Sequence, residues 1–419
     1  MNIVIHGAGF ENKGAEAMLR TVQFEWSRRC PGTTFFLAAR PPDVHHALLH
    51  GITPLLPAEP TPKTDRPLAV KLLSAVKARL KTAPSVRQSR FETIRTTLRA
   101  RKLEQFDAFI DISGYQYGDA WGNRGFDSVM PWTRYCSDHN IPMVFLPQAW
   151  GPFLQPQVAA DIRQLMAEGP LVMSRDRQST QHLQTISPTL LPESFPDVAW
   201  LFDGASDSVG NGLLSGLGLD SSLPIVALVP NMRVYEKTGH HGASNGYLKT
   251  FANLASHVLD TSDASILLLP NEIRMPTSQS QDDRYLCSIL ETMIGNRQRC
   301  FVMRQALSAE ALKALLSRCD AVVSSRFHSL IFSLSCGIPS LAVGWSHKYD
   351  ELMLDLDIQE FSIACNTGTV ADLTGPFNAL WSQRNDINTR LPSKIESLKN
   401  RAAEAFDRAV AFTRNQHKG

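Results

Sequence analysis

The stretch Asp320-Ala321-Val322-Val323-Ser324-Ser325-Arg326-Phe327-His328 determines the predicted fold of this chain. Its first half is a short apolar run that predicts a buried strand, and an apolar helix is predicted over Ser329–Cys336. Gly337-Ile338-Pro339 then ends that helix, and a second strand is predicted over Ser340–Val343. A strand, a helix and a strand in this order are typical of a βαβ unit with parallel strands. We therefore expect an α/β fold.

The charges that follow these two strands predict a site for an anion. Arg326 and His328 lie where the helix begins, and a helix N-terminus already carries roughly half a positive charge. Two added cations are unfavourable there unless an anion binds among them. Lys348 follows the second strand, and parallel neighbouring strands would bring it to the same crevice. The structural alternative is a salt-bridged arginine, a core histidine and a solvated lysine.

The same alternation of strands and helices is found along the whole chain. Strands are predicted at Asn2–His6, Thr34–Ala38, Asp107–Ser113, Pro142–Gln148, Leu171–Ser174, Pro224–Val229, Ser265–Leu269, Arg299–Met303 and Ala321–Ser325. A Gly, Ser and Asp-rich stretch at 203–212 has the composition of a linker. We therefore predict two doubly wound Rossmann-like domains facing a cleft, at 1–205 and 213–390. A terminal helical segment, 391–419, could pack back on the first domain.

Composition indicates a cytoplasmic globular protein. The chain has 419 residues, a net charge of +2, 43% hydrophobic and 20% charged residues, so nothing in the whole-chain charge points to nucleic acid. Its 7 cysteines are scattered singly, which argues against a zinc site or a disulfide framework. The first strand begins at Asn2, where a signal peptide would need a basic and then an apolar region. The pattern does not indicate an oligomeric state.

One basic segment, 61–102, interrupts the alternation. It contains twelve Lys and Arg residues against two acids, and Phe91, Ile94 and Leu98 have helical spacing within it. Such a basic amphipathic insertion predicts contact with anionic lipid at the inner face of the membrane, or with a phosphorylated acceptor. The alternative is a solvated helix pair packed on the first domain.

Several polar residues follow predicted strands in the first half of the chain. Asn12 and Glu16 lie in and after the loop Gly7-Ala8-Gly9-Phe10-Glu11, at the entrance to a helix. This loop lacks the third glycine of a dinucleotide fingerprint, so we do not expect NAD. Asp119 ends a small-residue loop that begins at the strand end Asp111. Arg175 follows the strand Leu171–Ser174, and its alternative role is an internal pair with Asp176 or Asp197.

Other patterns do not predict a catalytic site. Asp355-Leu356-Asp357 lies in a helical pattern without a preceding strand, which favours a solvated face over a metal site. The adjacent histidines at 45–46 and 240–241 do not have the spacing that one helix face needs to chelate a metal. Neither a Walker A loop nor a Gly-x-Ser-x-Gly elbow occurs. We therefore predict no metal and no cofactor.

Taken in order, the motifs of this chain resemble those of the polysaccharide pyruvyl transferase family. The pieces that carry the resemblance over about residues 3–355 are Gly9-Phe10-Glu11-Asn12-Lys13-Gly14-Ala15-Glu16-Ala17, Ser113-Gly114, Gln148-Ala149-Trp150-Gly151-Pro152, Ser174-Arg175-Asp176, Pro196-Asp197-Val198-Ala199, Arg326-Phe327-His328-Ser329-Leu330-Ile331-Phe332, Gly337-Ile338-Pro339 and Lys348. Two positions depart from the family pattern: Ala15 replaces an acid, and Tyr115 replaces a glycine.

The resemblance implies a GT-B-like architecture and transfer of pyruvate from phosphoenolpyruvate to a sugar, forming a ketal. The implied donor contacts are Arg175, Arg326, His328 and Lys348, with phosphoenolpyruvate as co-substrate. Arginine suits carboxylate and phosphate, and histidine titrates near neutrality, so His328 and Arg326 are the predicted catalytic pair.

The resemblance also places a saccharide acceptor, free or lipid-linked, on the first domain. Asn12, Glu16 and Asp119 are the predicted residues on the acceptor side, with Glu16 and Asp119 as candidate bases. Two alternatives remain at this stage. A GT-B glycosyltransferase using a nucleotide sugar would have the same architecture, and so would a protein that binds a glycan or an anion without catalysis.

Overall fold

The chain folds into two compact units. The computed structural model describes residues 1–56, 83–190, 192–274, 281–295, 298–366 and 369–416. Unit 1 contains Met1–Ala8, Gln23–Phe195 and Ala405–Gly419, and unit 2 contains Gly9–Val22 and Pro196–Glu404. Each unit is built around one sheet, so strand pairing over long sequence distances organises the fold.

Unit 1 contains a parallel sheet. Its strands are β1 (Asn2–His6), β2 (Thr34–Ala38), β3 (Thr53–Leu55), β4 (Ala108–Asp111), β5 (Met143–Gln148), β6 (Leu171–Ser174) and β7 (Glu193–Ser194). They lie in the order β3-β2-β1-β4-β5-β6-β7 and pair in parallel. The helices of this half of the chain are α1 (Lys13–Arg29), α2 (Val44–Leu49), α3 (Ala83–Ala100), α4 (Arg124–Asp138), α5 (Pro156–Ala167) and α6 (Arg177–Ile186).

Unit 2 repeats this plan. Its strands are β8 (Ile225–Val229), β9 (Ser265–Leu268), β10 (Cys300–Val302), β11 (Ala321–Ser324), β12 (Ser340–Gly344), β13 (Ser362–Asn366) and β14 (Thr369–Val370). The order is β10-β9-β8-β11-β12-β13-β14, and the pairing is parallel except between β13 and β14. The helices are α7 (Asp207–Gly216), α8 (Met232–Lys237), α9 (Gly246–Thr261), α10 (Asp283–Ile294), α11 (Ala309–Leu316), α12 (Phe327–Ser335), α13 (Lys348–Asp355) and α14 (Thr374–Gln416).

Each sheet has a topological switch point, where the strand order reverses. In unit 1 it lies between β1 and β4, and in unit 2 it lies between β8 and β11. The connections from the two central strands leave toward opposite sides, so a crevice forms at their carboxyl ends. These two strand ends are therefore where bound ligands are expected in each unit.

The helix α7 corrects the predicted linker at 203–212. Asp207–Gly216 is helical, and Gly210 lies against α11. A Cβ added to Gly210 would approach the carbonyl oxygen of Ala314 to 2.3 Å. The small residue is present because two helices pack closely there, and composition alone did not distinguish close packing from flexibility.

The helix α3 accounts for part of the basic segment. Its apolar residues Phe91, Ile94 and Leu98 are buried in the core of unit 1, together with Phe109 and Tyr135. This stretch is therefore packed on protein and does not offer an apolar face to lipid. The remainder of the predicted amphipathic segment, at 61–82, lies outside the described residues. Among the helices of the described ranges, none has the length and hydropathy needed to cross a membrane.

Candidate active-site residues at the carboxyl edges of the two sheets

The loop after β11 in unit 2 is held by hydrogen bonds from several elements. The side chain of Asn231 donates to the carbonyl oxygen of Ser325 over 2.7 Å, and the hydroxyl of Tyr349 donates to the same oxygen over 2.7 Å. The Ser324 hydroxyl accepts from the backbone N–H of Arg326 at 3.0 Å. This network fixes where Arg326 and the following helix α12 begin.

Arg326 is buried with two acidic partners. One terminal nitrogen of its guanidinium lies 2.7 Å from Glu272, and the other lies 2.5 Å from Asp283. The Asp283 carboxylate also accepts backbone N–H groups from Met232 and Asn271. These two carboxylates balance the charge of Arg326 within the protein, which agrees with the salt-bridged alternative given from the sequence.

The acids that flank Arg326 have shifted pKa values. Burial acts to raise the pKa of Glu272, but Arg326 and Arg274 outweigh it and lower that pKa to about 2. Burial raises the pKa of Asp283, against the opposing effect of Arg326. The Nε of Arg326 has no hydrogen-bond partner within the described part of the chain. Its role as a donor contact stays a prediction, and Nε and the second N–H of each terminal nitrogen are the groups that these two hydrogen bonds leave for it.

His328 lies on the first turn of α12 and faces an acid and a glycine. Its Nε2 is 3.5 Å from the Asp197 carboxylate, which also accepts the backbone N–H of Ala199 at 2.9 Å. A Cβ added to Gly14 would lie 2.0 Å from Nδ1 of His328. A glycine is thus required at this position, on the first turn of α1, because the imidazole ring leaves no room for a side chain.

Lys348 begins α13 and is enclosed by aromatic rings. Its Nζ lies 4.9 Å from the ring centroid of Trp345, 5.2 Å from that of Phe327 and 5.5 Å from that of Tyr349. The ring of Phe327 is also 5.4 Å from that of His328. His328 and Lys348 therefore flank the same phenylalanine at the ends of β11 and β12, as the sequence predicted for neighbouring parallel strands.

Asn12 and Glu16, predicted on the acceptor side, belong to unit 2 together with His328. Asn12 accepts from the backbone N–H of Gly14 at 3.0 Å and so caps α1. The Glu16 carboxylate lies 2.7 Å from Nζ of Lys13 and accepts the backbone N–H of Ala309 at 3.1 Å. Burial raises the pKa of Glu16, with Lys13 acting against it. Both oxygens of Glu16 thus have protein partners.

Asp119 of unit 1 organises a loop. Its two carboxylate oxygens accept the backbone N–H groups of Leu154, at 2.8 Å, and Gln155, at 3.1 Å. The loop includes a cis peptide bond before Pro152, whose carbonyl oxygen accepts from the backbone N–H of Asp119. The sequence predicted Asp119 as a base, and the structure shows its oxygens occupied by the backbone.

Arg175 follows β6 in unit 1 and is buried. Its backbone N–H donates to the carbonyl oxygen of Gln148, and Asp176 caps α6 through a 2.7 Å hydrogen bond from Ser179. Burial raises the pKa of Tyr115, while the nearby charge of Arg175 lowers it. Tyr115, which replaces a glycine of the family pattern, therefore lies near enough to Arg175 for that charge to act on its hydroxyl. The donor role of Arg175 stays a prediction.

Sequence reasoning missed a polar cluster at the switch point of unit 1. His6 is the last residue of β1, Asp111 is the last residue of β4, and the two are paired in register. The sequence signal was present, since both are polar ends of apolar strands. It could not be used without knowing that β1 and β4 are neighbours. Within the described ranges, no group of three or more His, Cys, Asp or Glu side chains is arranged to hold a metal ion.

Comparison with known proteins identifies the family. The sequence profile of the polysaccharide pyruvyl transferase family matches residues 39–347. The amylovoran biosynthesis protein AmsJ of Erwinia amylovora is 20% identical over 302 residues, which cover 70% of each chain. The resemblance inferred from motif order is therefore confirmed, and it connects the chain to polysaccharide biosynthesis.

Solved structures agree on the fold. HepE of Anabaena, crystallised in complex with UDP-glucose, is 14% identical with a TM-score of 0.53, and the match covers 100% of this chain and 98% of that one. Sucrose-phosphate synthase from Thermosynechococcus elongatus is 11% identical with a TM-score of 0.62 and full coverage of both chains. The predicted fold class, two doubly wound Rossmann-like domains of the GT-B type, is confirmed. The chain belongs to the polysaccharide pyruvyl transferase family.

Proposed function

We propose that this protein transfers pyruvate from phosphoenolpyruvate to a saccharide, forming a ketal. The observation that carries the proposal is the placement of His328 and Lys348 on either side of Phe327, at the ends of β11 and β12. Phosphoenolpyruvate carries a carboxylate and a phosphate, and cationic side chains beside the start of α12 suit both groups. The reaction as proposed uses phosphoenolpyruvate as co-substrate and no cofactor.

The reaction needs a proton donor and two hydroxyl groups. The methylene carbon of phosphoenolpyruvate gains a proton, which makes the neighbouring carbon electrophilic. One saccharide hydroxyl adds to that carbon, a second displaces phosphate, and each hydroxyl loses its proton. One of these protons balances the one gained by carbon, and the other leaves with phosphate. Closure of the site against water would limit loss of the donor to hydrolysis.

Each of the proposed contacts to phosphoenolpyruvate has its own chemical role. Lys348 supplies a cation whose position is set by the rings of Trp345 and Tyr349. His328 gives a proton to phosphoenolpyruvate. The carboxylate of Asp197 lies at an ion-pair distance and stabilises the charged imidazole ring. Arg326 contributes Nε to the same set of contacts. These assignments make Lys348 a side chain whose loss is expected to weaken donor binding, whereas loss of Arg326 would also break its ion pairs with Glu272 and Asp283.

Donor binding is tested by thermal unfolding. Phosphoenolpyruvate at about ten times its Kd stabilises the folded protein by about 1.4 kcal/mol, which raises the midpoint by a few degrees. Lys348→Gln is expected to weaken binding about 10-fold to 100-fold, because a charge-assisted contact is lost. Lys394→Gln is the matched control, since Lys394 is half exposed and pairs with Asp357. An unchanged affinity in Lys348→Gln would remove Lys348 from the site.

Turnover is tested with p-nitrophenyl glycosides as acceptors. Incubation with phosphoenolpyruvate is expected to release phosphate in equal amount to a product whose mass shows one ketal-linked pyruvate. UDP-glucose is assayed in parallel, because GT-B folds also serve glycosyl transfer. Sugar transfer from UDP-glucose without consumption of phosphoenolpyruvate would refute the proposal.

A further inference from the structure

The switch point of unit 1 contains a buried histidine and aspartate at the place where ligands of such sheets bind. His6 ends β1, Asp111 ends β4, and the strand order reverses between these two strands. Gly7 follows with a φ of 86°, and a Cβ there would lie 2.1 Å from the Ser113 hydroxyl oxygen. The turn after β1 thus lies directly against the turn after β4.

The hydrogen bonds of Asp111 orient the histidine. Nδ1 of His6 lies 2.6 Å from Oδ2 of Asp111, and the same oxygen accepts from the Tyr117 hydroxyl at 2.8 Å. The other oxygen accepts from the backbone N–H of Ser113 and the side-chain amide of Gln148, both at 3.1 Å. The other three groups are donors, so the carboxylate accepts from each of them, and His6 donates to it through Nδ1.

This arrangement leaves Nε2 of His6 as the basic nitrogen. It lies 2.9 Å from the hydroxyl oxygen of Ser128, which is half-buried on α4. With Nδ1 protonated, Nε2 carries the lone pair, and the Ser128 hydroxyl donates to it. A hydroxyl group is therefore already held in the geometry from which Nε2 would accept a proton.

We propose that His6 is the general base that takes the proton from the acceptor hydroxyl, and that Asp111 is its positioning residue. This inference rests on the proposed transfer to a saccharide. The hydroxyl proton passes to Nε2 as the oxygen bonds to the electrophilic carbon of the donor, and the imidazolium then returns the proton to phosphate or water. Asp119 and Glu16 are less suited, since backbone groups or Lys13 already occupy their oxygens.

The test begins with His6→Asn, whose amide can still donate to Asp111 in place of Nδ1 but has no basic nitrogen. We expect phosphoenolpyruvate to raise its midpoint as in the wild type, and kcat to fall at least about 100-fold, the usual contribution of a general base. His139→Asn is the matched control, because His139 also donates through Nδ1, to the Tyr135 carbonyl oxygen, but it lies just after the end of α4, as its C-cap. A kcat within about threefold of wild type in His6→Asn overturns the assignment.

A rescue experiment separates a catalytic from a structural role. Added imidazole is expected to restore turnover to His6→Ala, because it can enter the vacated space and act as the base. It is expected to fail in His6→Ala/Asp111→Asn, where nothing orients it. A loss in Ser128→Ala as large as in His6→Asn would mean that the imidazole cannot act as a base without the serine hydroxyl, and it would overturn the proposal.

The turnover of the wild type shows whether only the assignment of His6 is wrong or the proposed function as a whole. If it makes ketal and His6→Asn does so equally well, only the base is wrong. If the wild type transfers neither pyruvate nor a sugar to any glycoside, the proposed function fails, and the role of His6 fails with it.

Discussion

The two switch points have the same topology and opposite chemistry. In unit 1, the ends of β1 and β4 hold an imidazole bonded to one carboxylate, with its second nitrogen on a hydroxyl. In unit 2, the loop after β11 holds a guanidinium bonded to two carboxylates. One arrangement keeps a lone pair available for proton transfer, and the other neutralises its cation internally. Position at a strand end therefore does not decide what a charged residue does.

This difference changes which residues of unit 2 are expected to meet the donor. Arg326 was the centre of the prediction from sequence, but both terminal nitrogens of its guanidinium are paired with carboxylates of the protein. His328 and Lys348 lie on the first turns of α12 and α13. We infer that Arg326 chiefly holds the base of the site, and that His328 and Lys348 face the ligand.

The largest expected effect is on stability, from Arg326→Met. Removing the guanidinium leaves Glu272 and Asp283 buried without their cation, which costs about 3–5 kcal/mol. Denaturant unfolding measures the change in free energy. Arg274→Met is the control, because Arg274 also pairs with Glu272 but is more exposed, and it should cost only about 1 kcal/mol. Equal costs for the two variants would show that Arg326 is not the structural centre of unit 2.

The next effect is a pH dependence of stability. The pKa of Glu272 falls from 4.5 to about 2 on folding, so its ionised form stabilises the fold above pH 4.5, and this is lost as the pH falls toward 2. At neutral pH the ionised Glu272 side chain contributes about 3 kcal/mol to the free energy of unfolding. Asp283 has a raised pKa and acts in the opposite sense, which reduces the net slope.

The measurement compares the wild type with Glu272→Gln. The free-energy difference between them should be largest near neutral pH and should shrink as the pH falls below 4.5. A difference that stays constant down to about pH 3 would mean that the Glu272 carboxylate gains nothing from Arg326.

A smaller effect is expected from Gly14→Ala. The new methyl group would lie 2.0 Å from Nδ1 of His328, so the ring or the start of α1 must move, at a cost of about 1–3 kcal/mol. Donor binding should weaken as well, because the imidazole is displaced. Gly375→Ala is a suitable control, since a Cβ there meets nothing within 4 Å among the described residues. Binding that survives in Gly14→Ala would exclude His328 as a contact.

The sequence predicted the strands well because their buried runs are long and apolar. Asn2–His6, Thr34–Ala38 and Leu171–Ser174 were predicted with their observed limits, and the other predicted strands agree within two residues at each end. Four strands, β3, β7, β13 and β14, were missed. The strands β7 and β14 have only two residues each, and so short a run has no detectable period. Positions at strand ends follow from this pattern, and so the meeting of His328 and Lys348 was predictable.

The partners of those residues were not predictable, because they depend on strand order. His6 and Asp111 are 105 positions apart, and Arg326 and Glu272 are 54 apart. Nothing in the local pattern says that β1 lies beside β4 or that α10 presents Asp283 to the loop after β11. The charge of a residue is visible in the sequence, whereas the charge that compensates it becomes visible only in the fold.

The smallest expected effect tests how tightly the unit 1 pair is held. Burial, and then the charge of Asp111, hold the pKa of Tyr117 well above its usual range, so its hydroxyl stays protonated and donates to the carboxylate. Tyr117→Phe removes one donor and should cost about 1 kcal/mol in the free energy of unfolding. Because Ser113 and Gln148 still hold Asp111, kcat should fall far less than in His6→Asn. Denaturant unfolding and the turnover assay measure the two quantities on one variant. A loss of kcat as large as that of His6→Asn would place the reacting proton on the phenol, and the contrast between the two switch points would then rest on tyrosine instead of histidine.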